Sequence, residues 1–278
     1  MEFPERITVY VNERRVEVDY GTRVSDIWIK FKPTADVVIY NGFPLRSEES
    51  YERVVKDGDK VVLIRRGEIP SEEELEYLMV ARHTQGVQEK LKKATVGIAG
   101  LGGLGSNVAI SLARVGIGKL ILVDYDVVEP SNLNRQQYSI KHIGLLKTEA
   151  LKEILMEINP YVNLVTFSEV IDESNVEKLF SDVDILVEAF DTPQAKKMLI
   201  ETFSKCFPTK PIVSASGLAG FYSSNLIKVR KVSKYLYVVG DETHSAGIGE
   251  GLMSPRVGIT ANMQANTVVR IIMGEQEP

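Results

Sequence analysis

The stretch that most constrains the fold runs from residue 95 to residue 124, and it predicts a strand, a glycine loop, a helix and a second strand. The apolar run Thr95–Ala99 leads into GLGGLGS, a loop with four glycines in seven residues. A helical pattern follows over Asn107–Val115, and the strand Leu120–Val123 ends on Asp124. Glycines let backbone N–H groups approach phosphates, and an acid after the second strand accepts hydrogen bonds from ribose hydroxyls. The unit therefore predicts a nucleotide site, and the glycine loop alone allows a nicotinamide-dependent oxidoreductase.

Helices and apolar strands continue to alternate downstream, which predicts an α/β fold with a mostly parallel sheet. Ligands of such sheets lie beyond the carboxyl ends of the strands. Asp124 and Asp191 both follow predicted strands, so we expect them to share one site. The predicted elements are helices over Lys147–Ile158, Ser174–Phe180 and Pro193–Cys206, and strands over Val162–Phe167, Asp184–Phe190 and Pro211–Ser214.

The N-terminal 67 residues have their own pattern, which predicts a small mixed domain. A hairpin with Asn12 and Glu13 at its turn precedes a helix, and further strands close the domain. The chain then continues through Arg65-Arg66-Gly67-Glu68 into a segment where Ser71 and Glu74 form a capping-box pattern, which predicts a helix to about His83. The predicted strands are Ile7–Val11, Arg15–Val18, Val37–Tyr40 and Lys60–Ile64, and the predicted helix is Val24–Phe31.

Composition excludes several classes of protein. The net charge of −5 gives no bulk basic field for nucleic acid, and 44% hydrophobic residues is ordinary for a globular chain. We find no apolar run long enough to cross a bilayer and no signal-peptide pattern in the first residues, so we expect a cytoplasmic protein that does not associate with membranes. The single cysteine, Cys206, rules out an internal disulfide and a thiolate zinc site built from this chain alone.

Four motifs resemble the ThiF/MoeB-type adenylyltransferases of the ubiquitin-activating-enzyme superfamily. They are GLGGLGS, LVDYDVVEPSNLNRQ at 122–136, GLLK at 144–147 and FDT at 190–192, and the resemblance extends from about residue 80 to the closing PRVGITANMQA at 255–265. It implies a Rossmann-like ATP-binding domain that activates the C-terminal glycine of a ThiS-like sulfur carrier and releases pyrophosphate, for thiamin thiazole sulfur transfer. The phrase VVKDGDKVVLI at 54–64 resembles the end of a ThiS-type β-grasp (ubiquitin-like) fold. The resemblance thus divides the chain into a β-grasp domain (1–67), a linker helix region (68–93) and an adenylation domain (94–278).

The resemblance also implies roles for individual residues. It implies that Arg135 and Lys147 neutralise phosphates, that Asp191 holds Mg²⁺ and that Asp124 holds the ribose. The predicted catalytic residues are Arg135, Lys147 and Asp191. ATP and Mg²⁺ are the implied cofactors, without zinc. The implied nucleotide-binding residues are Gly100, Gly102, Gly103, Leu104, Gly105, Asp124, Asp126, Asn132, Arg135, Gln136 and Lys147.

The implied partners are a ThiS-like carrier, a second copy of the chain in a homodimer, and a sulfur donor protein, with no nucleic acid or membrane partner. Because the chain continues past Gly67, the N-terminal domain has no free carboxylate and we expect it to be a module rather than a substrate. The open alternatives are another acceptor (a molybdopterin carrier, a peptide C-terminus or a tRNA base) and a catalytically silent module that binds carriers.

Two further residues matter for the mechanism. Relatives often carry an arginine that reaches the partner subunit's ATP, and Gln85 stands at that position, so either Arg82 substitutes or the contact is missing. Cys206 is aligned at helical spacing with Leu199 and Phe203, which predicts core packing rather than covalent catalysis. The glycines at 247, 249 and 251 suggest a mobile loop that covers ATP or the carrier tail.

Overall fold

The computed structural model describes residues 5–80, 83, 84, 86–275 and 277, without the side chains of residues 48, 49 and 80. The chain divides into two compact units, residues 1–85 and residues 86–278. The predicted linker segment, 68–93, is divided between them, because its first helix belongs to the N-terminal unit and its second helix to the C-terminal unit.

The N-terminal unit is a five-stranded sheet with a helix packed on one face. Its core is formed by alternating apolar residues, among them Val9, Ile27 and Val61. In chain order the elements are β1 (Arg6–Val11), β2 (Arg14–Asp19), α1 (Val24–Phe31), β3 (Val37–Tyr40), β4 (Phe43–Pro44), α2 (Glu48–Tyr51), β5 (Lys60–Ile64) and α3 (Glu72–Val80).

The strand order in this sheet is β2-β1-β5-β3-β4, with β1 and β5 parallel and the other pairs antiparallel. Asn12 and Glu13 both have positive φ values, 46° and 64°, at the predicted hairpin turn. Two-residue hairpins favour such turns because their twist matches that of the strands. Helix α3 is tied to this turn, since the Asn12 side chain donates to Glu74 at 2.8 Å and Arg14 pairs with Glu73 at 3.1 Å.

The C-terminal unit is a seven-stranded sheet with helices on both faces. All of its paired strands are parallel except β11, which runs antiparallel at one edge. In chain order the elements are α4 (Val87–Lys93), β6 (Thr95–Ala99), α5 (Gly103–Arg114), β7 (Lys119–Val123), α6 (Lys147–Ile158), β8 (Asn163–Phe167), α7 (Val176–Phe180), β9 (Ile185–Glu188), α8 (Pro193–Cys206), β10 (Ile212–Ala215), β11 (Lys228–Ser233), β12 (Leu236–Gly240) and α9 (Ser254–Met273).

The strand order β11-β12-β10-β9-β6-β7-β8 reverses direction between β6 and β9. Strand β7 lies on one side of β6, whereas β9 and β10 lie on the other. Crevices at such reversal points bind ligands at the carboxyl ends of the strands. The mostly parallel α/β sheet and the small N-terminal β domain confirm the predicted fold class.

Side chains alternate between two cores, one on each face of the sheet. In β7, Leu120 and Leu122 pack toward α5, α6 and α9, whereas Ile121 and Val123 pack toward α7 and α8. A strand buried on both faces is continuously apolar, as β6, β7 and β9 are. Within the described part of the chain, no helix is both long and apolar enough to cross a membrane.

Three details differ from the sequence-based prediction. Helix α5 begins at Gly103, so half of the glycine loop forms the first turn of the helix instead of preceding it. The hairpin of β11 and β12 was not predicted, because its polar strand β11 lies at an edge with mostly exposed side chains. Cys206 is half-buried at the last residue of α8, whereas Leu199 and Phe203 on the same helix are fully buried.

Candidate active site

Two cavities open at the carboxyl edge of the seven-stranded sheet. The first, which we call the glycine-loop cavity, has a volume of about 300 Å³ and lies at the reversal point between β6 and β9. Residues after four successive parallel strands contribute to it: Gly100 after β6, Asp124 after β7, Glu169 after β8 and Ala189 after β9. This is the position where open α/β sheets bind their ligands.

The glycine loop approaches the backbone of β9 too closely for any side chain. Gly100 has a φ of +88°, and a Cβ there would lie 2.9 Å from the Ala189 carbonyl oxygen. A Cβ on Gly105 would lie only 1.9 Å from the Gly100 carbonyl oxygen. These glycines bring the first turn of α5 against β6, and a helix start is a favourable place for an anion because its N–H groups are unpaired.

Asp124 holds the loop in place. Its carboxylate accepts a hydrogen bond from the Leu101 amide at 2.6 Å and one from the Asp126 amide at 2.8 Å. The Tyr138 hydroxyl donates to the Leu101 carbonyl at 2.8 Å from the other side. Each carboxylate oxygen can accept a second hydrogen bond, so Asp124 keeps capacity for two hydroxyl groups of a ligand.

Lys147 brings a positive charge into the glycine-loop cavity. It is the first residue of α6, its side chain is 8% exposed, and its Nζ lies 2.6 Å from the Asp126 carboxylate. Burial raises the pKa of Asp126, but the hydrogen bonds from Lys147 and the Val127 amide lower it, and the net pKa is below its ordinary value. The Asp126 carboxylate therefore stays ionised at neutral pH and holds the Lys147 side chain in the cavity.

The second cavity, which we call the Arg135 cavity, has a volume of about 250 Å³. The guanidinium of Arg135 donates to Ser131 and Asn134 near its wall. Lys196 adds another positive charge, and the remaining wall is mostly of small or apolar residues. The loop after β12 contributes one side through residues 244–246.

The two cavities share the turn between β9 and α8, residues 189–191, and Asp191 therefore borders both. Within the described part of the chain, the Asp191 carboxylate has no hydrogen bond or ion pair. An exposed carboxylate at the meeting point of two cation-lined cavities can hold a divalent cation together with a ligand's phosphates, which is how proteins usually bind Mg²⁺. No cluster of three or more metal-ligating side chains exists among the described residues, and an all-protein cage is not needed for such a site.

The structure separates the predicted site residues into groups. Gly100, Gly102, Asp124, Asp126 and Lys147 line the glycine-loop cavity, and Gly103, Leu104 and Arg135 line the Arg135 cavity. Arg135 and Lys147 thus contribute to different cavities, although the resemblance implies the same phosphate-neutralising role for both.

Three predicted residues line neither cavity. Gly105 serves close packing, and the Asn132 side chain accepts a hydrogen bond from the Glu129 amide at 3.0 Å. Gln136 is buried near Gly102, and its carboxamide oxygen has no hydrogen-bond partner among the described residues. Arg82 and Gln85 lie outside the described residues.

Several residues of the site were missed by the sequence analysis. Glu169, Val170 and Ile171 follow β8 and line the glycine-loop cavity, and the strand-end rule that found Asp124 would also have found them. Lys196 and Glu188 form an ion pair at 3.0 Å beside the Arg135 cavity. A glutamate inside the apolar run of β9 was the available signal, because a buried charge needs a partner.

Comparison with known proteins finds relatives in sequence and in fold. Adenylyltransferase and sulfurtransferase UBA4 of Candida glabrata is 32% identical over 204 residues, which cover 70% of this chain and 47% of the relative. The chain therefore spans about half the length of that relative. A crystal structure of E. coli MccB with ATP matches with a TM-score of 0.53 and 28% identity, over 68% of this chain and 59% of that chain. E. coli tRNA N6-threonylcarbamoyladenosine dehydratase, TcdA, in complex with ATP, shares the fold with a TM-score of 0.64 and 22% identity, over 70% of this chain and 92% of that chain.

The fold is a Rossmann-like α/β unit that follows a small β domain in the chain, and two cavities open at the carboxyl edge of its sheet. The ThiF family matches residues 76–278, and ThiS-like ubiquitin matches residues 7–67. The chain belongs to the ThiF family and carries a ThiS-like ubiquitin domain at its N-terminal side. The sequence-based recognition of a ThiF/MoeB-type protein fused to a ThiS-like domain is confirmed.

Proposed function

We propose that the C-terminal unit is an ATP-dependent adenylyltransferase that activates the C-terminal carboxylate of a ubiquitin-like carrier protein. The observation that carries the proposal is the junction at Asp191, where a nucleotide-type cavity meets a second cavity lined by Arg135 and Lys196. In the proposed arrangement ATP occupies the glycine-loop cavity and the carrier's tail enters the Arg135 cavity. Their reacting groups then meet at the shared turn, residues 189–191.

The chemistry needs no general base. A C-terminal carboxyl has a pKa of roughly 3.5 and is already ionised at neutral pH. Its oxygen attacks the α-phosphorus of ATP, the new oxygen–phosphorus bond forms, and the bond to the β-phosphate oxygen breaks with its electron pair leaving on pyrophosphate. Repulsion between anions is the main barrier, so cations and oriented N–H groups are the appropriate catalysts.

The residues of this chain fit those tasks. Gly100, Gly102 and Lys147 lie in the cavity assigned to the nucleotide, and Lys147 neutralises phosphate charge there. The first turn of α5 begins at Gly103, which lines the Arg135 cavity, so its unpaired N–H groups are available to phosphates that extend across the junction. Asp124 accepts ribose hydroxyls, and the buried unpartnered oxygen of Gln136 can accept a hydrogen bond near Gly102. Arg135 directs positive charge toward the incoming carboxylate from the other cavity.

Asp191 is the residue that would hold Mg²⁺, because its carboxylate is exposed at the junction and a carboxylate is a hard oxygen ligand. When bound, Mg²⁺ would neutralise developing charge on the leaving pyrophosphate. In the proposed arrangement the Lys147 ammonium lies between Asp126 and the phosphates and neutralises part of their charge.

For the acceptor we propose a ThiS-like carrier that ends in glycine. The activated carrier then receives sulfur from a sulfur donor protein, for thiamin thiazole sulfur transfer. The small residues on the wall of the Arg135 cavity, among them Ala215, Gly217 and Ala246, support a tail without side chains. We also propose a cytoplasmic homodimer, as the resemblance to ThiF/MoeB-type enzymes implies. The relative UBA4 is described as both an adenylyltransferase and a sulfurtransferase, which supports a sulfur carrier as the acceptor class.

The acceptor is tested by presenting purified carriers one at a time with ATP and following pyrophosphate release. We expect release with a glycine-ended ThiS-like carrier, and a separate titration with NAD should show no binding, whereas binding of NAD would favour a nicotinamide-dependent oxidoreductase. Release only with a molybdopterin carrier, a peptide ending in another residue, or a tRNA would identify a different acceptor for the same site. ATP binding without release for any acceptor would identify a silent carrier-binding module instead.

A further inference from the structure

One carboxylate beside the site is buried far from solvent. Glu188, the last residue of β9, is 0% exposed. A buried charge is costly unless it is paired and fully hydrogen-bonded. In Glu188 both carboxylate oxygens have partners: the Lys196 Nζ lies 3.0 Å from each, and the Ser214 hydroxyl donates to Oε2. The backbone N–H of Phe190 donates to Oε1 at 2.7 Å.

Two of these partners lie on either side of Asp191 in the chain. Phe190 directly precedes Asp191, and Lys196 is in the first turn of α8, which begins at Pro193. Thr192 begins α8 by accepting a hydrogen bond from the Ala195 amide at 3.4 Å. The Glu188 carboxylate therefore holds the peptide before Asp191 and the helix after it at the same time.

The end of β9 is also fixed from the opposite face of the sheet. Gln264 on α9 is fully buried, and its Nε2 donates to the Glu188 and Val213 carbonyl oxygens at 3.2 Å each. Ser214, which bonds the Glu188 side chain, is the residue after Val213 on the neighbouring strand β10. The Glu188 carboxylate is thus attached to a strand end that hydrogen bonds hold from both faces of the sheet.

We infer that Glu188 is a positioning residue, with Lys196 as its counter-ion, which fixes the 189–192 turn and so directs the Asp191 carboxylate into the junction of the two cavities. The inference rests on the proposed function, because it assigns the effect to the cation held by Asp191. Glu188 does not reach the nucleotide, so its loss acts on cation affinity and not on nucleotide affinity without metal.

The test measures the binding of α,β-methylene ATP, a non-reacting analogue, by calorimetry at a series of Mg²⁺ concentrations. Amide hydrogen exchange of the peptide that contains Phe190 is measured alongside. The variants are Glu188→Gln, the double variant Glu188→Gln/Lys196→Met, and Phe203→Leu as a control of similar stability loss. Phe203 lies on the buried face of α8 near its C-terminal end, and its ring contacts those of Phe180 and Phe207.

We expect Glu188→Gln to raise the Mg²⁺ midpoint about tenfold or more, the usual range when a group that orients a metal ligand is lost. The neutral amide no longer pairs with the Lys196 ammonium, and it places an N–H₂ group among the donors of Lys196, Ser214 and Phe190. The Lys196 ammonium then moves away toward solvent and takes the start of α8 with it, so the 189–192 turn loosens and exchange of the Phe190 amide speeds up. Metal-free affinity for the analogue stays at the wild-type value. In the double variant no charge is left without a counter-ion, the glutamine oxygen still accepts the Phe190 N–H, and the midpoint returns most of the way to wild type.

The positioning role is overturned if Glu188→Gln leaves the Mg²⁺ midpoint unchanged, if Phe203→Leu shifts it equally, or if the double variant is no better than the single. If Glu188→Gln does not fold, Glu188→Asp carries the test, because it keeps the charge that pairs with Lys196 while its shorter side chain releases the Phe190 N–H, and the midpoint is again expected to rise. An Asp191→Ala variant separates the cation role of Asp191 from the positioning role of Glu188. If Asp191→Ala binds the Mg²⁺–analogue complex like wild type, the cation role fails and the positioning role fails with it. If Asp191→Ala loses the Mg²⁺ dependence of binding while Glu188→Gln keeps the wild-type Mg²⁺ midpoint, only the positioning role fails.

Discussion

Lys147 and Arg135 carry the same charge but lie in different cavities, and this separates their expected contributions. Lys147 is pre-paired with Asp126 in the nucleotide cavity, so its loss should weaken ATP binding as well as turnover. Among the residues that the structure describes, the Arg135 guanidinium bonds to neutral oxygens of Ser131 and Asn134, so its charge remains available to an incoming carboxylate. Asp191 borders both cavities and should affect only complexes that contain a cation.

Alanine substitutions at these three positions test the site residue by residue. We expect Arg135→Ala, Lys147→Ala and Asp191→Ala each to lower carrier-dependent ATP–pyrophosphate exchange by about 10²-fold or more, because each removes a transition-state charge contact. Lys141→Ala is the matched control, since this exposed lysine pairs with Glu153 outside both cavities. Circular dichroism should show native folding for all four, and wild-type exchange in any two of the first three would disprove the site.

Cys206 gives a second test at this scale. It is half-buried at the end of α8 and lines neither cavity. We expect Cys206→Ala to cost less than about 1 kcal/mol of unfolding free energy and to leave adenylation intact. Mass spectrometry without reductant should find no carrier joined to Cys206, and a thioester or persulfide there would contradict the account.

At the scale of elements, the loop after β12 is held to α9 by a buried ion pair. Asp241 and Arg256 have side chains that are 5% and 4% exposed, and Asp241 also accepts from His244 at 2.6 Å. Burial alone would raise the pKa of Asp241. Hydrogen bonds from the His244 and Thr243 amides and from the His244 ring together outweigh burial and lower the pKa to about 2. Because this loop forms one wall of the Arg135 cavity, the pair stabilises the proposed acceptor site.

The depressed pKa of Asp241, which His244 and Thr243 cause, predicts a specific dependence of stability on pH. The folded-state pKa of Asp241 is depressed from 3.8 to about 2, so its stabilising contribution is complete above the unfolded value and is lost as the pH falls from about 4 to about 2. We expect Asp241→Asn to cost about 3 kcal/mol at neutral pH, since it leaves the Arg256 charge buried and unpaired. Urea titrations at pH 7, 4 and 2.5 should show a steeper acid loss in wild type than in the variant. Equal losses would contradict this role of the pair.

Elements with a strong local signal were predicted closely. Helix α6 and helix α8 begin and end at the predicted residues, because apolar periodicity, Pro193 and the Asn159-Pro160 stop mark their limits. Helix α5 was predicted to start too late, because a glycine loop has no periodic pattern and its helical start is set by packing against β6. The edge strand β11 consists mostly of polar, exposed residues, so it has no run of apolar residues from which a strand could be predicted.

The candidate site was predictable only where motifs occur. Asp124, Lys147 and Asp191 came from recognised motifs at strand ends and the start of a helix, and the structure places all three around the glycine-loop cavity. The division of the site into two cavities depends on how β9, β10 and α9 pack together, which no local pattern encodes. The Glu188–Lys196 pair joins a strand to a helix, and its meaning appears only once that packing is known.

At the scale of the whole molecule, the chain combines two units with separate cores. The second unit contains both cavities, so we expect a shortened chain of residues 86–278 to bind ATP with the wild-type affinity. The cut is placed at residue 86 because α3 packs on the N-terminal unit through Glu73 and Glu74. Calorimetry with ATP would show this, and loss of binding by a folded shortened chain would mean that the N-terminal unit completes the nucleotide site.

The N-terminal unit itself is expected to be a module and not a substrate. Gly67 is followed by a peptide bond to Glu68, so this unit presents no carboxylate to ATP. Incubation of the full chain with labelled ATP and Mg²⁺ should yield no adenylated fragment. Recovery of an adenylated fragment that ends at Gly67 would show instead that cleavage converts this unit into a carrier.

The central claim is that the junction at Asp191 joins ATP to a carrier's terminal carboxylate. Its most direct test is exchange of labelled pyrophosphate into ATP, measured with a ThiS-like carrier that ends in a free glycine and with the same carrier amidated at that glycine. We expect exchange with the free carboxylate, abolished by amidation and by Asp191→Ala, because only the ionised carboxylate can attack the α-phosphorus. Exchange that persists with the amidated carrier, or in the absence of any carrier, would contradict the account.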